Sequence, residues 1–433
     1  MSDINNPTGG GSNVSSPTAV AAAGGGIPYK PQIVTTRTGI PNGTIVGNNS
    51  NASLRIDSRL QLTVGPQAVS QLQVGMSGFI LIGSNDQLLT TDINYEAAVE
   101  TTSPSAYVSC TFPGNTSPTL GNTVADISPG SALVLSDPVV GFDFTAGSTF
   151  FLRQGISIPQ SAGQIPQYSV NDNTGLIPGV DSAALSPSTI SQTPGTGAIT
   201  TPTSGISFGG FYPSVVLGVP AAPHPSVIYI GDSIAASAFD NLDSLGSAGF
   251  LQRGLESVGA NSYPIPYHAQ ASNGATTQQF SSFIFTQRQR AYWKYATHFI
   301  IQTGTNDIQA NSATLTQLQG YLATLCASIK RVIGPYGKPP KIYVCTLAVR
   351  TNSGNTAPIT GFTVGGTRDL YNAWLLAGGI TNIDGVIDSG SVTQTTGNLW
   401  VSGFNSGDGT HPTQAGHIAM AVPVNTAALT FNP

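Results

Sequence analysis

"VIYIGDSIAAS", Val227 to Ser237, changes character partway along. Four β-prone residues run straight into Gly-Asp-Ser, and small and apolar residues follow in place of a solvated loop. Working outward, strand-like "THFIIQTG" (297–304), "KIYVCTLAV" (341–349) and "DGVIDSG" (384–390) alternate with helix-like segments around Ser247–Val258, Leu315–Ile333, Thr367–Leu376 and Pro412–Ala421. Such alternation predicts a parallel sheet covered by helices on both faces. In that architecture ligands collect outside the carboxyl ends of the strands, which is where Gly231-Asp232-Ser233 falls.

Upstream the texture differs. "GVPAAPHPS" (218–226) carries three prolines, each limiting the chain to extended or turn geometry, and marks a boundary. Before it, "SLRIDSRLQLTV" places Leu54, Ile56, Leu60, Leu62 and Val64 on even positions, the pattern of a strand with one face inward. "GFILIG", "AYVSCTF", "ALVLSDPVVGFDF" and "STFFLRQGISI" follow, separated by turn residues, so an all-β sandwich is expected, with a jelly roll as the arrangement within that class. The stretch from Pro159 to about Ser207 reads as long surface loops, and the Gly/Ser/Ala-rich start as a flexible arm. The expected organisation is an arm at 1–26, a β-sandwich domain at 27–217, a proline-rich linker at 218–225 and an α/β domain at 226–433.

Composition narrows the function. The 433 residues exceed the range in which one core keeps growing, in keeping with two domains. Only 8% are charged, against roughly 25% in an average soluble protein, and the net charge is -5. No Lys/Arg cluster offers a field for phosphate backbones, so nucleic acid is not an expected partner. The apolar runs fall short of the roughly 20 residues a membrane helix needs, and the first residues lack the basic and apolar regions of a Sec signal peptide. Neither membrane insertion nor Sec export is therefore expected. Hydroxyl-rich strands with so little charge suit a virion-associated protein or one exported by another route. Cys110, Cys326 and Cys345 lack metal-ligand spacing and read as buried small hydrophobes.

Three polar motifs carry the chemistry. Gly231-Asp232-Ser233 ends one strand, "GTND" (304–307) ends another, and "DGTHP" (408–412) precedes the last helix-like segment. A serine hydroxyl is a weak nucleophile until an imidazole takes its proton, and the imidazole works best when a carboxylate fixes its tautomer. Asp408 and His411 can do this from one loop, with Nε2 facing Ser233. The oxyanion of acyl transfer needs donors already in position. Candidates are the Ser233 N–H, the Gly274 N–H in "ASNGATT" and the Asn306 side-chain amide.

From about Ser226 onward, with GDS, a glycine block, GTND and DGTH in this order, the chain resembles the SGNH (GDSL-like) hydrolase family over roughly half its length. The resemblance implies a three-layer α/β/α, flavodoxin-like domain that hydrolyses esters, often acyl or acetyl esters of carbohydrates or lipids, with neither metal nor cofactor. Mapped by motif, it places the nucleophile at Ser233, acid and base at Asp408 and His411, and the oxyanion site at Ser233, Gly274 and Asn306.

His224, His268, His298 and His417 are rival bases that read as structural, His268 being nearest the glycine block. Asp307 reads as a turn residue. Trp400 and Phe404 precede DGTH in a Gly/Ser-rich stretch, where an aromatic could stack on a sugar or acyl group or pack in the core. The leading expectation is a serine esterase acting on acetyl esters, with acetylated polysaccharide as substrate and a homo-oligomer compatible with the sandwich domain. Two alternatives stay open: a non-enzymatic virion or adhesion protein with a vestigial hydrolase domain, and an acylhydrolase of lipids or thioesters.

Overall fold

The structure, a computed structural model, describes residues 30–45, 54–102, 105–113, 122–158, 165–167, 176–186, 191–200, 211–256, 263–427 and 429. The expected arm at 1–26 lies outside the described residues, as does much of the stretch 159–207.

The C-terminal half is built on a parallel sheet of six strands: β1 (Thr38–Gly39), β2 (Val227–Gly231), β3 (Tyr267–Ala271), β4 (His298–Gln302), β5 (Lys341–Cys345) and β6 (Gly385–Ile387). They run in the order β1-β3-β2-β4-β5-β6, every neighbouring pair parallel. Five helices matter to the site: α1 (Gly249–Glu256), α2 (Thr305–Asn311), α3 (Leu315–Lys330), α4 (Thr367–Leu376) and α5 (Gln414–Thr426).

Alternate side chains of a strand point to opposite faces, and both faces of this sheet are covered. Ile228 and Ile230 of β2, Phe299 and Ile301 of β4 and Ile342 and Val344 of β5 share a core with Leu318, Leu322, Leu325 and Ile329 of α3 and Tyr371 and Leu375 of α4. Val227, Tyr229, Ile300 and Tyr343 meet Phe250, Leu251 and Leu255 of α1 and Met420 and Val424 of α5. This is the three-layer α/β/α arrangement. Strand β3 escapes the periodic reading because its interior is polar. His268 stacks on Tyr292 with ring centroids 4.6 Å apart, and Gln270 accepts from Trp293 Nε1 (3.0 Å) and donates to the Gln289 carbonyl (3.0 Å).

The N-terminal half consists mainly of antiparallel strands in two sheets. One has four strands, in the order Gln32–Ile33, Val215–Pro220, Val69–Met76 and Val134–Leu135. The other runs Val124–Ile127, Ile93–Thr102, Thr149–Ile158, Leu54–Thr63 and Ser182–Ser186, with Ser105–Ser109 pairing beside Ile93–Thr102. Their facing side chains, among them Ile56, Leu62, Val74, Val99, Phe150 and Leu152, form a third core, as in a β-sandwich.

Two details differ from the sequence reading. Part of the stretch expected to be loop forms the edge strand Ser182–Ser186, and residues 191–200 pack over the sheet's far face. On the odd-numbered face of Leu54–Thr63, Arg55 and Asp57 are therefore buried and Arg59, Gln61 and Thr63 half-buried. Arg55 pairs with Asp57 (2.8 Å) and Glu96 (3.0 Å), Glu100 joins Arg59 (2.8 Å) and Arg153 (3.1 Å), and Arg153 donates to carbonyls of Gln192, Thr193 and Gly197. Buried charges persist only when so paired.

Among the described residues, no helix is long and apolar enough to cross a membrane.

Candidate active site

Ser233 follows β2 directly. Asp232 holds the turn: its N–H donates to the Gln302 carbonyl of β4 (3.2 Å), and its carboxylate accepts from the Ile234 N–H (2.9 Å) and Gln302 Nε2 (3.3 Å). Burial pushes the Asp232 carboxyl up to about 7 against those hydrogen bonds, so its structural work is done from inside the protein. Where a helix would ordinarily follow, the chain makes successive turns through Phe239. Ser237 and Phe239 take left-handed φ values of +70° and +63°, uncommon for residues other than glycine.

The DGTH loop is self-bracing. One Asp408 oxygen accepts from the backbone N–H of Thr410 (2.8 Å) and His411 (2.9 Å) and from the Ser406 hydroxyl (3.0 Å). The other accepts from His411 Nδ1–H at 2.5 Å. Burial alone would raise the Asp408 carboxyl; the donors from His411 and Thr410 outweigh it and bring it down to about 2. With its Nδ1 proton committed, His411 presents Nε2 as an acceptor, 2.8 Å from Ser233 Oγ. Asp408, His411 and Ser233 thus form one unbroken line of hydrogen bonds at the carboxyl edge of the sheet.

The proposed oxyanion donors also converge on this edge. Gly274 has φ +74° with no atom within 4 Å of where a Cβ would stand, so backbone conformation, rather than space, favours glycine there. Neither the Ser233 nor the Gly274 N–H has a hydrogen-bond acceptor among the described residues. Asn306, in the first turn of α2, donates one Nδ2 hydrogen to the Ala275 carbonyl (3.0 Å), which leaves the second for another acceptor. If that second hydrogen meets developing charge, Asn306→Ala lowers kcat about 10²–10³-fold with little change in KM. Steady-state kinetics on a small ester check this.

The other candidates separate cleanly. Trp400 is only 1% exposed, packed in the core beneath the loop with Nε1 donating to the Gly409 carbonyl (3.1 Å). Of the two roles open to this ring, substrate stacking is corrected to core packing: it supports the DGTH loop from below and offers no face to a substrate. Phe404 is half-buried against the same core. His417 is buried, accepts the Phe250 N–H on Nδ1 (3.2 Å) and donates from Nε2 to the Ala238 carbonyl (2.9 Å), and burial lowers its pKa to about 4. Burial lowers His224 to about 4 and His268 to about 3, so each stays neutral inside the fold. Asp307 accepts the N–H groups of Thr277 (2.8 Å) and Gln278 (3.0 Å), bracing the segment after Gly274.

Two residues not singled out in the sequence border the site. Phe239, 43% exposed, lies against the His411 ring with centroids 5.2 Å apart. Half-buried Arg350 has Nη1 without a hydrogen-bond partner among the described residues; burial lowers its pKa against the pull of Asp232 and Asp408. An aromatic six residues after the nucleophile and an arginine closing "TLAVR" were the available signals.

Residues 229–419 match the model of the GDSL-like Lipase/Acylhydrolase family. No curated protein matches the chain. Among solved structures, a carbohydrate acetylesterase from Sinorhizobium meliloti is 20% identical, covering 48% of this chain and 100% of its own with a TM-score of 0.31. A lipase/acylhydrolase from Enterococcus faecalis is 17% identical over 47% of this chain and 95% of its own, TM-score 0.34. An aryl esterase from M. smegmatis is 17% identical over 47% and 97%, TM-score 0.31. The similarity to the GDSL-like Lipase/Acylhydrolase family thus spans residues 229–419, the α/β part of the chain.

Proposed function

We propose that the chain is a serine ester hydrolase with Ser233 as nucleophile, His411 as general base and Asp408 as the group that holds the imidazole. The line of hydrogen bonds from Asp408 through His411 to Ser233 carries this reading. As Ser233 Oγ attacks the ester carbonyl carbon, its proton passes to His411 Nε2, and the imidazolium is stabilised by Asp408. The carbonyl oxygen, now negative, takes hydrogen bonds from the N–H groups of Ser233 and Gly274 and the free hydrogen of Asn306. His411 then protonates the leaving alcohol as the tetrahedral intermediate collapses to the acyl-enzyme. Water, deprotonated by the same nitrogen, attacks the acyl carbon, and the carboxylic acid product departs as Ser233 is restored.

For the substrate we propose a carbohydrate O-acetyl ester. The exposed ring of Phe239 beside His411 supports this, since a flat apolar face next to the base can receive the carbon–hydrogen face of a sugar ring on the alcohol side. The test is hydrolysis of p-nitrophenyl esters from acetyl to octanoyl, with Ser233→Ala as background. Rates that fall as the acyl chain lengthens, followed by acetate release from an acetylated polysaccharide, are expected. Rates that rise toward octanoyl would replace this substrate class with lipid-like acyl esters.

A further inference from the structure

The loop that carries Gly274 is held from two sides. From within the α/β domain, Asn306 takes the Ala275 carbonyl and Asp307 takes the N–H groups of Thr277 and Gln278. The other side is supplied by the N-terminal half. Ser84 sits in the turn of a hairpin formed by Phe79–Ile82 and Asn85–Leu88. Its hydroxyl, fully buried, accepts the Thr276 N–H (3.0 Å) and donates to the Thr276 carbonyl (3.1 Å). The Ser272 hydroxyl donates to the Leu81 carbonyl (3.5 Å), and Asn42 Nδ2 donates to the Ala271 carbonyl (3.3 Å). A Cβ placed on Gly83 would stand 3.9 Å from the Gly274 carbonyl oxygen and 4.0 Å from that of Asn273.

The hairpin is itself fixed. Phe79 and Leu81 belong to the same core as Ala275 and Phe280. Asp86 accepts the Arg288 N–H (2.5 Å) and Gln289 Nε2 (3.1 Å), while Gln289 Nε2 also reaches the Ser84 carbonyl (2.9 Å). Strand β1, also from the N-terminal half, flanks β3, the strand that leads into the loop.

We propose that Ser84 is a positioning residue for the oxyanion site, so that the N-terminal half completes the active site of the C-terminal domain. This rests on the ester-hydrolase reading above. One hydroxyl bridges both backbone groups of Thr276, two residues from the Gly274 donor, and removing it leaves the buried Thr276 N–H without its acceptor and the carbonyl with the Phe280 N–H (3.2 Å) alone. The loop then relaxes and the Gly274 N–H moves from where the oxyanion forms. A donor that acts on the transition state alone affects kcat and leaves KM in place.

The experiment compares full-length wild type, Ser84→Ala and Ser84→Thr on p-nitrophenyl acetate, together with inhibition by an alkyl boronic acid, which forms a tetrahedral adduct with the serine. Ser84→Ala is expected to lower kcat about ten- to a hundredfold, leave KM within about twofold and weaken the boronate by the same factor as kcat. Ser84→Thr, which keeps both hydrogen bonds, restores kcat. If Ser84→Ala does not fold, Ser84→Cys, nearly isosteric and weak in both hydrogen-bonding roles, takes its place with the same expectation. Unchanged kcat in the folded variant, or a loss confined to KM, overturns the role of Ser84 while the esterase reading stands. Absence of Ser233-dependent turnover in the wild type overturns the esterase reading, and this inference with it.

Discussion

Ser233→Ala is expected to lower kcat for a small ester by about 10⁶-fold and to leave melting temperature nearly unchanged. The hydroxyl is the only part of the side chain the proposed mechanism uses, and its one hydrogen-bond partner among the described residues is His411 Nε2. Nothing in the turn depends on Oγ: Ala236 N–H donates to the Asp232 carbonyl and Ala238 N–H to the Ser233 carbonyl, both backbone groups. The oxyanion donors survive the change, so a small residual rate above the uncatalysed reaction should remain. Kinetics on p-nitrophenyl acetate and thermal unfolding of both proteins check the two halves of this expectation.

Asp408→Asn should lower kcat by about 10⁴-fold through the tautomer of His411. With a carboxylate at this position, Nδ1 carries the proton and Nε2 is free to accept from Ser233. An amide NH₂ in its place would donate to Nδ1, leaving the proton on Nε2, where it blocks acceptance of the serine proton. The loop itself should hold, because the Asn carbonyl oxygen can still accept the N–H groups of Thr410 and His411 that Asp408 Oδ1 accepts. Raising the pH does not correct a tautomer, so no recovery is expected. In the wild type, Asp408 lies at about 2, and it contributes no inflection to the rate profile between about pH 5 and 9. A kcat/KM profile of both proteins over that range tests the argument.

The parts of this molecule legible in its sequence are those where local pattern and tertiary role agree. Val227–Gly231 reads as a buried strand because both of its faces are covered, and GDS, GTND and DGTH each stand at a strand end or loop where the chain must turn. Helices α3 and α4 show a clear apolar stripe. The strand Tyr267–Ala271 does not, because its interior is filled by His268 and Gln270, whose polarity is satisfied by Tyr292, Trp293 and Gln289 from elsewhere in the chain. The charged face of Leu54–Thr63 misleads for the same reason: Glu96, Glu100 and residues 191–200 bury it. Trp400, in a Gly/Ser-rich run that resembles open loop, is packed inward by the fold of DGTH above it. Ser84 carries no local signal at all; its partner Thr276 lies 192 residues away.

Central to this reading is that Ser233 forms a covalent intermediate through activation by His411. The most direct measurement is reaction of the full-length protein with a fluorophosphonate, followed by intact mass and peptide mapping. One equivalent of adduct on Ser233 is expected, formed far more slowly in His411→Ala and absent in Ser233→Ala. Folded wild-type protein that gains no adduct, or carries it on a different residue, would contradict the proposed chemistry at its first step.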